Sequence, residues 1–331
     1  MKKQHLMDWE MLLEEYFFSK ALRQETEKSY RRVVAVFRKF IGMDVLPDEV
    51  THRDFLRWRR YMLGKGLTTS TWNNKVRHLR ALYNQGIKRK WLTLEDNPLD
   101  ETQVPIDSKR KKTLSRDQLI RINLVMDDFA VNEPKLSGQK LGCALLPVWY
   151  WRTVLDVLRT TGMRQNQLLH IRLMDIDLNS RAIMLCKEGS KTHREWQVPI
   201  VSFLQSKIRI LMEKAVELGA KPSDPLFNVA RYIGPISEIR MEPDIQPIRS
   251  FFRRLSKECG FVVSPHRFRH TLATEMMKSP DRNLTMVKGL LGHRSLSTTM
   301  EYVELDLKIT GQALEEELSL YMDDESGEDK E

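Results

Sequence analysis

The feature that most constrains this fold is the helical spacing of large apolar residues over the first 90 positions. In DWEMLLEEYFFSKAL, residues 8–22, apolar side chains recur three and four positions apart, as on the buried face of a helix. TEKSYRRVVAVFRKFIG, residues 26–42, and TTSTWNNKVRHLRALYNQGIKRKWL, residues 68–92, repeat this pattern. Thr51 is predicted to be a helix N-cap and Gly42 a C-cap. We predict a small all-helical domain over residues 1–95.

Beyond residue 95 the pattern changes and indicates a second domain. Prolines and a closing basic run mark residues 96–112 as a linker, and SRDQ at 115–118 is a capping box that begins a domain over 113–322. AIMLC and WQVPI are β-prone runs on either side of a polar turn, which predicts a hairpin. The predicted class is therefore mainly α with a small β-hairpin. Later helices are predicted at 201–218, 245–259, 265–278, 284–291, 297–304 and 306–321.

The distribution of charge favours a polyanionic partner. The chain carries a formal net charge of +9. Residues 1–112 hold 24 Lys and Arg against 15 Asp and Glu, whereas the remaining residues hold 30 of each. A basic first segment favours nucleic acid over a surface that is charged only for solubility. The acidic stretch DDESGEDKE, residues 323–331, is predicted to be a disordered tail.

Several classes are disfavoured by composition. No apolar run approaches the length of a membrane span, and acidic residues interrupt the first 18 positions, unlike a signal peptide. The three cysteines, Cys143, Cys186 and Cys259, are far apart, which fits a reducing compartment and disfavours a cysteine zinc site. We expect a cytoplasmic protein that makes no contact with membranes.

The stretch SPHRFRHTLATEM, residues 264–276, concentrates cationic and titratable side chains. His266 and His270 have the i, i+4 spacing of a metal pair on a helix. The stretch could equally be a solvated basic face, or it could direct His266 and Arg269 at a phosphate. No third metal ligand falls nearby, so we interpret His270 as structural.

Four further signals lie in the second domain. Arg164 follows the helix-stopping glycine of TTGMR, and Lys187 opens the hairpin turn in CKEGSK. His293 follows the glycine of LLGH, and Tyr302 lies nine residues later in MEYVEL. Taken alone, Arg164 is more simply an ion-pair partner of Asp156 or Asp175, and Tyr302 a core residue.

The kinds of residue present favour a metal-free reaction at phosphorus. Neither a cluster of carboxylates nor a Walker loop is found, although a metal-dependent nuclease would need the former. Phosphoryl transfer without a metal requires instead a nucleophile, a proton donor and fixed cations.

In this order the motifs resemble those of the tyrosine recombinase (phage integrase) family. That family has an arginine, a hairpin lysine, a His-x-x-Arg pair, a histidine or tryptophan, and a nucleophilic tyrosine. The resemblance spans the chain, because the first domain looks like the family's core-binding domain. The matching catalytic positions are Arg164, Lys187, His266, Arg269, His293 and Tyr302.

The chain departs from the family pattern at Gln167, where an acidic residue is usual. The departure removes a carboxylate that could orient Arg164, so a substitute is expected. Lys191 is an alternative to Lys187 in the same turn, and Lys187 is favoured because it follows the first strand directly.

The resemblance implies a mechanism. Tyr302 would attack a DNA phosphodiester and form a covalent 3′-phosphotyrosine, while Lys187 protonates the leaving 5′-hydroxyl. Arg164 and Arg269 would hold the nonbridging oxygens, His293 would donate a further hydrogen bond, and His266 would assist proton transfer. No metal, nucleotide or other cofactor is implied.

The implied partners are double-stranded DNA with specific recombination sites and further copies of the chain. A tetramer on DNA is implied, with a C-terminal helix exchanged between protomers, and accessory DNA-bending proteins are possible partners. Competing interpretations are a type IB topoisomerase and a catalytically silent DNA-binding regulator. The residues expected to contact DNA are Lys75, Arg77, His78, Arg80, Lys109, Arg110, Lys111 and Lys112.

Overall fold

The structure, a computed structural model, describes residues 7–105, 112–136, 143–189, 195–233, 242–278, 284–293 and 295–300. The chain divides into two compact units, Met1–Lys109 and Arg110–Glu331. Among the described residues, no helix is both long enough and apolar enough to cross a lipid bilayer.

The first unit is helical, as the sequence predicts. Thr51 accepts a hydrogen bond from the Asp54 backbone and Gly42 ends the second helix, so both predicted caps are confirmed. The aromatic residues of the four helices meet in one core, where Trp9, Phe37, Trp58 and Trp72 are fully or almost fully buried. The helices are α1 (Trp9–Phe18), α2 (Gln24–Ile41), α3 (His52–Gly64) and α4 (Thr69–Lys88).

The first part of the predicted linker packs against the first unit. The Asn73 amide makes two hydrogen bonds to the backbone of Val104, at 2.7 and 3.0 Å. The Trp72 indole donates to the Thr102 carbonyl at 2.9 Å, and Leu99 is completely buried. Residues up to Val104 therefore belong structurally to the helical unit.

The second unit is mainly helical around a small antiparallel sheet. The strands β1 (Ile176–Asp177), β2 (Ala182–Leu185) and β3 (Trp196–Pro199) lie in the order β1-β2-β3. Leu185 pairs with Trp196 at the turn end of the β2–β3 hairpin, and Ala182 pairs with Pro199 at its open end, which confirms the predicted hairpin. The helices are α5 (Arg116–Leu136), α6 (Val148–Thr161), α7 (Gln165–Leu169), α8 (Ser202–Glu217), α9 (Ala230–Ile233), α10 (Gln246–Cys259), α11 (Pro265–Met277), α12 (Leu284–Leu291) and α13 (Leu296–Met300).

Helix α6 runs through the core of this unit. Most of its side chains are buried, and the Trp151 ring stacks on Phe251 of α10 with centroids 4.1 Å apart. The capping box that begins α5 is confirmed, because Ser115 and Gln118 each accept a hydrogen bond from the other's backbone. A buried α6 places its C-terminal end, and the residues that follow, at a fixed point beside α11 and α12.

Candidate active site

Gly162 ends α6 in a conformation that few other residues adopt. Its φ of 60° lies in the left-handed region, where glycine carries no steric penalty. A β-carbon here would also approach Leu291 to 2.9 Å and Leu272 to 3.0 Å. The glycine therefore lets α6 meet α11 and α12 closely, two residues before Arg164.

Arg164 is the N-cap residue of α7 and is fixed through its backbone. Its N–H donates to Oε1 of Gln167 at 2.9 Å, so Gln167 caps the helix. Gln167 is buried, and among the described residues its Nε2 has no hydrogen-bond partner. Asp156 and Asp175 were the carboxylates expected to pair with Arg164. Asp156 instead accepts a hydrogen bond from Lys207, and Asp175 accepts one from Arg172.

The turn that contains Lys187 packs directly on α7. Residues Lys187–Gly189 form a 3-10 turn, in which Lys187 is exposed and Gly189 buried. The Asn166 amide donates to the Gly189 carbonyl at 3.1 Å. A β-carbon on Gly189 would approach the Gln167 α-carbon to 2.8 Å, so only glycine fits. The hairpin is thereby held against α7, the helix that follows Arg164.

Cys186 fixes the other side of this turn. Its thiol donates to Asp175 at 3.4 Å and accepts from Arg172 at 3.3 Å. Burial alone would raise the pKa of Asp175, but hydrogen bonds from Arg172 and Cys186 outweigh burial and hold that pKa below its usual value. Burial and the Asp175 charge raise the pKa of the Cys186 thiol, so the thiol stays protonated and acts as a hydrogen-bonding anchor.

Arg269 lies at the centre of the site and is 3% exposed. Its Nη1 donates to the Gly162 carbonyl and its Nη2 to the Leu291 carbonyl, both at 2.8 Å. Nη2 also lies 2.7 Å from Nε2 of His293. The guanidinium is therefore held by three segments, the end of α6, the end of α12 and the His293 loop.

The ring of His293 is 4% exposed, and both of its nitrogens are engaged. Because an arginine can only donate, Nε2 accepts from Arg269, and the ring proton resides on Nδ1. Nδ1 lies 2.9 Å from Oγ1 of Thr299, a fully buried residue of α13, and donates to it. In this arrangement His293 is neutral.

Trp196 of the hairpin supports the His293 loop. Its indole nitrogen donates to the Leu290 carbonyl at 3.2 Å, and any β-carbon on Gly292 would overlap its ring. Gly292 also has a φ of 63°. The hairpin that carries Lys187 thus contacts both α7 and the loop that presents His293.

His266 lies one turn before His270 on α11, and its side chain is exposed. The two rings are nearly parallel, with centroids 6.3 Å apart. Within the described residues, no three His, Cys, Asp or Glu side chains gather as metal ligands. Ser264 caps α11 by accepting from the Arg267 backbone, which orients the turn that contains His266.

Some predicted residues lie outside the described part of the chain. These are Tyr302, Lys191 and the linker residues Lys109, Arg110 and Lys111, as well as the predicted C-terminal helix and acidic tail. Helix α13 ends two residues before Tyr302. The catalytic roles assigned from the sequence stay predictions.

The predicted DNA-contacting residues of α4 differ in their surroundings. Arg77 is exposed, as is Lys112 in the second unit, whereas Arg80 pairs with Asp100 at 2.8 Å. The His78 ring packs edge-on against Tyr30, and its Nδ1 contacts the Asn74 carbonyl. Partial burial lowers the pKa of Lys75, and the charge of Arg32 lowers it further. Arg32 on α2 is thus a neighbouring cation that the helical pattern did not single out.

The sequence interpretation also missed Thr299 and Cys186. Thr299 is one of four Ser and Thr residues in SLSTT, residues 295–299, and nothing in that stretch distinguishes it. Cys186 carried a signal, because it directly precedes Lys187 at the end of a predicted strand.

The fold and the site together indicate a class of protein that binds a phosphate through its own side chains. A basic helical unit precedes a mainly helical unit. In the second unit the hairpin, α7, α11 and the His293 loop contact one another, and together they carry a lysine, two arginines and a histidine. Such a set suits a phosphate whose charge is met by side chains.

Comparison with known proteins agrees with this class. The Phage integrase family model matches residues 146–308, and the Phage integrase SAM-like domain model matches residues 12–104. A putative tyrosine recombinase XerC of Pseudomonas syringae is 34% identical over 92% of this chain and 63% of its own length. Another, of Pseudomonas aeruginosa, is 34% identical over 90% of this chain and 69% of its own length. The chain thus spans about two thirds of the length of these relatives. It belongs to the phage integrase family of tyrosine recombinases.

A solved structure has the same fold. The Tn1549 transposon integrase in complex with transposon right end DNA superposes with a TM-score of 0.69 at 18% identity. The match covers 95% of this chain and 100% of that chain.

Proposed function

We propose that this chain is a site-specific DNA recombinase that cuts and rejoins strands through a 3′-phosphotyrosine at Tyr302. The observation that carries the proposal is Arg269, a buried guanidinium fixed between Gly162, Leu291 and His293. A preorganised cation stabilises the charge that develops on a phosphate without reorganising during the reaction. Its position in a chain of this family supports a reaction that needs neither metal nor nucleotide.

In this proposal each segment of the site has one role. Tyr302 attacks phosphorus, and its oxygen replaces the 5′-oxygen of the next nucleotide. Lys187 protonates that leaving oxygen, since the packing of its turn on α7 keeps it beside the segment that begins with Arg164. Arg164 and Arg269 bind the nonbridging oxygens, and exposed His266 assists proton transfer. Attack by a 5′-hydroxyl from another strand reverses the step and completes the exchange.

The helical unit is proposed to bind the DNA duplex outside the cleavage site. Arg77, Lys75 and the adjacent Arg32 supply cations on neighbouring helices, which suits contact with phosphates. Arg80 and His78 are partly committed to Asp100, Asn74 and Tyr30, so we assign them a lesser share. The reaction would take place on DNA in the cytoplasm of the host cell.

Recombination also requires assembly, and we propose a tetramer on two duplexes. The amphipathic segment LKITGQALEEELSLYM, residues 307–322, is suited to docking on a neighbouring protomer. Truncation after Asp306 should leave binding to a single half-site intact but abolish cooperative filling of a full site. Cooperative binding by the truncated chain, in a gel-shift titration, would refute this role.

The activity is tested with a supercoiled plasmid that carries two copies of the recognition site. Recombinant products are expected, whereas relaxed circles alone would indicate a topoisomerase, and an unchanged plasmid a protein that only binds. In parallel, the wild-type chain should form an SDS-resistant adduct with DNA, and Tyr302→Phe should bind the same DNA without one. An adduct that persists in Tyr302→Phe would exclude this tyrosine as the nucleophile.

A further inference from the structure

When a DNA phosphate binds, Arg269 and His293 would have to change hydrogen-bond partners, and this requirement rests on the proposed function. An arginine presents five N–H donors in a planar fork. Its two edges for bidentate binding are Nε with Nη2 and Nη1 with Nη2, so Nη2 belongs to both. In the structure Nη2 already donates to the Leu291 carbonyl and to Nε2 of His293. Neither edge can bind a phosphate in bidentate fashion until one of these bonds is released.

Of the two acceptors of Nη2, His293 is the one that can release Arg269 and still form a hydrogen bond. The Leu291 carbonyl belongs to the last residue of α12 and can only accept a hydrogen bond, so it cannot become a donor to the phosphate. The imidazole, by contrast, can exchange a role as acceptor for a role as donor by taking up a proton on Nε2. A protonated Nε2 could then donate to the same phosphate that displaced it from Arg269.

Arg269, which can only donate, and Thr299 together fix which ring nitrogen takes up this proton. Oγ1 of Thr299 receives the Nδ1 hydrogen at 2.9 Å, and the residue is completely buried. The ring is therefore held with Nε2 unprotonated and facing Arg269. The second hydrogen bond of a histidine commonly fixes its tautomer in this way.

The neighbouring charges explain why the proton is not bound beforehand. Arg269 of α11 contacts the imidazole ring. The ring also lines a cavity of about 270 Å³ together with Lys288 of α12, Trp196 and Gly292. Thr299 of α13 and Trp196 of β3 contribute no charge. A third positive charge is unfavourable here until a phosphodiester brings a negative one.

We propose that Thr299 is a positioning residue that holds His293 as an acceptor for Arg269, and that binding of the DNA phosphate is coupled to uptake of one proton from solvent at Nε2 of His293. Each protomer would take up one proton when its site is filled, and the same ring would then serve as a donor to the phosphate during cleavage.

Isothermal titration calorimetry tests this coupling directly. The titrant is a duplex that the wild-type chain enriches from a random-sequence library, and the protein carries Tyr302→Phe to prevent cleavage. The titration is repeated at pH 8, well above the ordinary histidine value of about 6.5, in buffers of different ionisation enthalpy. The dependence of the observed enthalpy on the buffer gives the number of protons taken up.

Three double variants provide the comparison. Tyr302→Phe with Thr299→Ser keeps the hydroxyl and should take up the same number of protons as Tyr302→Phe alone. Tyr302→Phe with His293→Trp replaces the titrating ring by a permanent donor and should take up about one proton fewer. With Thr299→Val, a residue of equal size, Nδ1 has no hydroxyl acceptor, so the ring proton can move to Nε2 with loss of the Arg269 hydrogen bond, and the uptake should also fall.

Cleavage by proteins that retain Tyr302 supplies a second readout. Thr299→Val should slow formation of the covalent adduct roughly ten- to hundredfold, the range for outer residues that orient a histidine, while Thr299→Ser stays near wild type. Equal proton uptake in all four proteins, with DNA bound normally and the wild-type adduct formed, would overturn the inference and leave the proposed function intact. Absence of the wild-type adduct would instead refute the proposed function.

Discussion

The guanidinium of Arg269 is joined to the carbonyl of Gly162 by a hydrogen bond of 2.8 Å, across 107 positions of sequence. This bond ties α11 to the turn that precedes Arg164, so the two predicted phosphate-binding arginines share one anchor. A lysine at position 269 could reach one acceptor but not all three of the present partners.

Arg269→Lys should therefore reduce DNA cleavage by about two to four orders of magnitude, the scale of losing a preorganised donor or more. The rate of adduct formation with a nicked substrate measures this. Arg267→Lys on the same helix is a matched control, because Arg267 is only half-buried, and it should cleave within about threefold of wild type since surface changes have small effects. Similar losses in both variants would mean that the charge of α11 as a whole matters, and not the fixed fork.

Lys187 is expected to be the general acid, and a modified substrate can separate it from Lys191. A substrate with sulfur in place of the bridging 5′-oxygen releases a thiolate that needs no proton. Lys187→Ala should fail on ordinary DNA and recover on the sulfur substrate, whereas Lys191→Ala should gain little. Recovery confined to Lys191→Ala would assign the role to Lys191.

Gly189→Ala tests whether the contact with α7 positions the Lys187 turn. The new methyl group would press on the Gln167 backbone, so the turn must shift. Cleavage of ordinary DNA should fall at least about tenfold, with recovery on the sulfur substrate, because a small displacement of a catalytic group costs rate steeply. Gly64→Ala, at the last residue of α3, is the control and should leave cleavage unchanged, because a β-carbon there meets no described atom within 4 Å. Unchanged cleavage by Gly189→Ala would show that the turn is not held through this contact.

Asp175 should make the free energy of unfolding of the second unit decrease at low pH. Its lowered pKa means that its ionised form is stabilised by folding, so this contribution is complete above the unfolded carboxyl value of about 3.9 and is lost as the pH falls through the lower folded value. Asp175→Asn should reduce the free energy of unfolding at pH 7 by about 1–3 kcal/mol, because Arg172 and Cys186 lose a charged acceptor. Denaturant melts at pH 7 and at a series of lower pH values measure the effect, and the difference between the two proteins should shrink progressively as the pH falls below about 3.9. A difference that is as large at pH 3 would contradict the electrostatic origin.

The sequence predicted the local features of this fold well. Thr51, Ser115 and Gly162 are confirmed as helix caps because capping depends on residues within one turn. The β2–β3 hairpin was also visible from its β-prone runs. The two-residue strand β1 was not predicted, since two residues are too few to display an alternating pattern.

Contacts between distant segments could not be predicted in the same way. The pairing of Arg80 with Asp100 and the packing of His78 on Tyr30 depend on tertiary structure, and each removes some of the positive surface that the α4 pattern indicated. The hydrogen bond of Thr299 to His293 is similar, because the neighbouring Thr298 has the same chemistry and is exposed. Gln167 caps the Arg164 backbone, a role that an acidic residue at that position could also fill.

The packing of Trp196 on Gly292 has a consequence for the order in which the site forms. The His293 loop closes against an indole that belongs to strand β3, so the loop has no surface to close on while the hairpin is open. The amide of His293, bonded to the Lys288 carbonyl, and the amides of the β2–β3 ladder should therefore exchange with deuterium through a shared opening event. Separation of the hairpin from the loop would disrupt both the Lys187 turn and the hydrogen bonds that hold Arg269, so the active site is expected to be lost cooperatively.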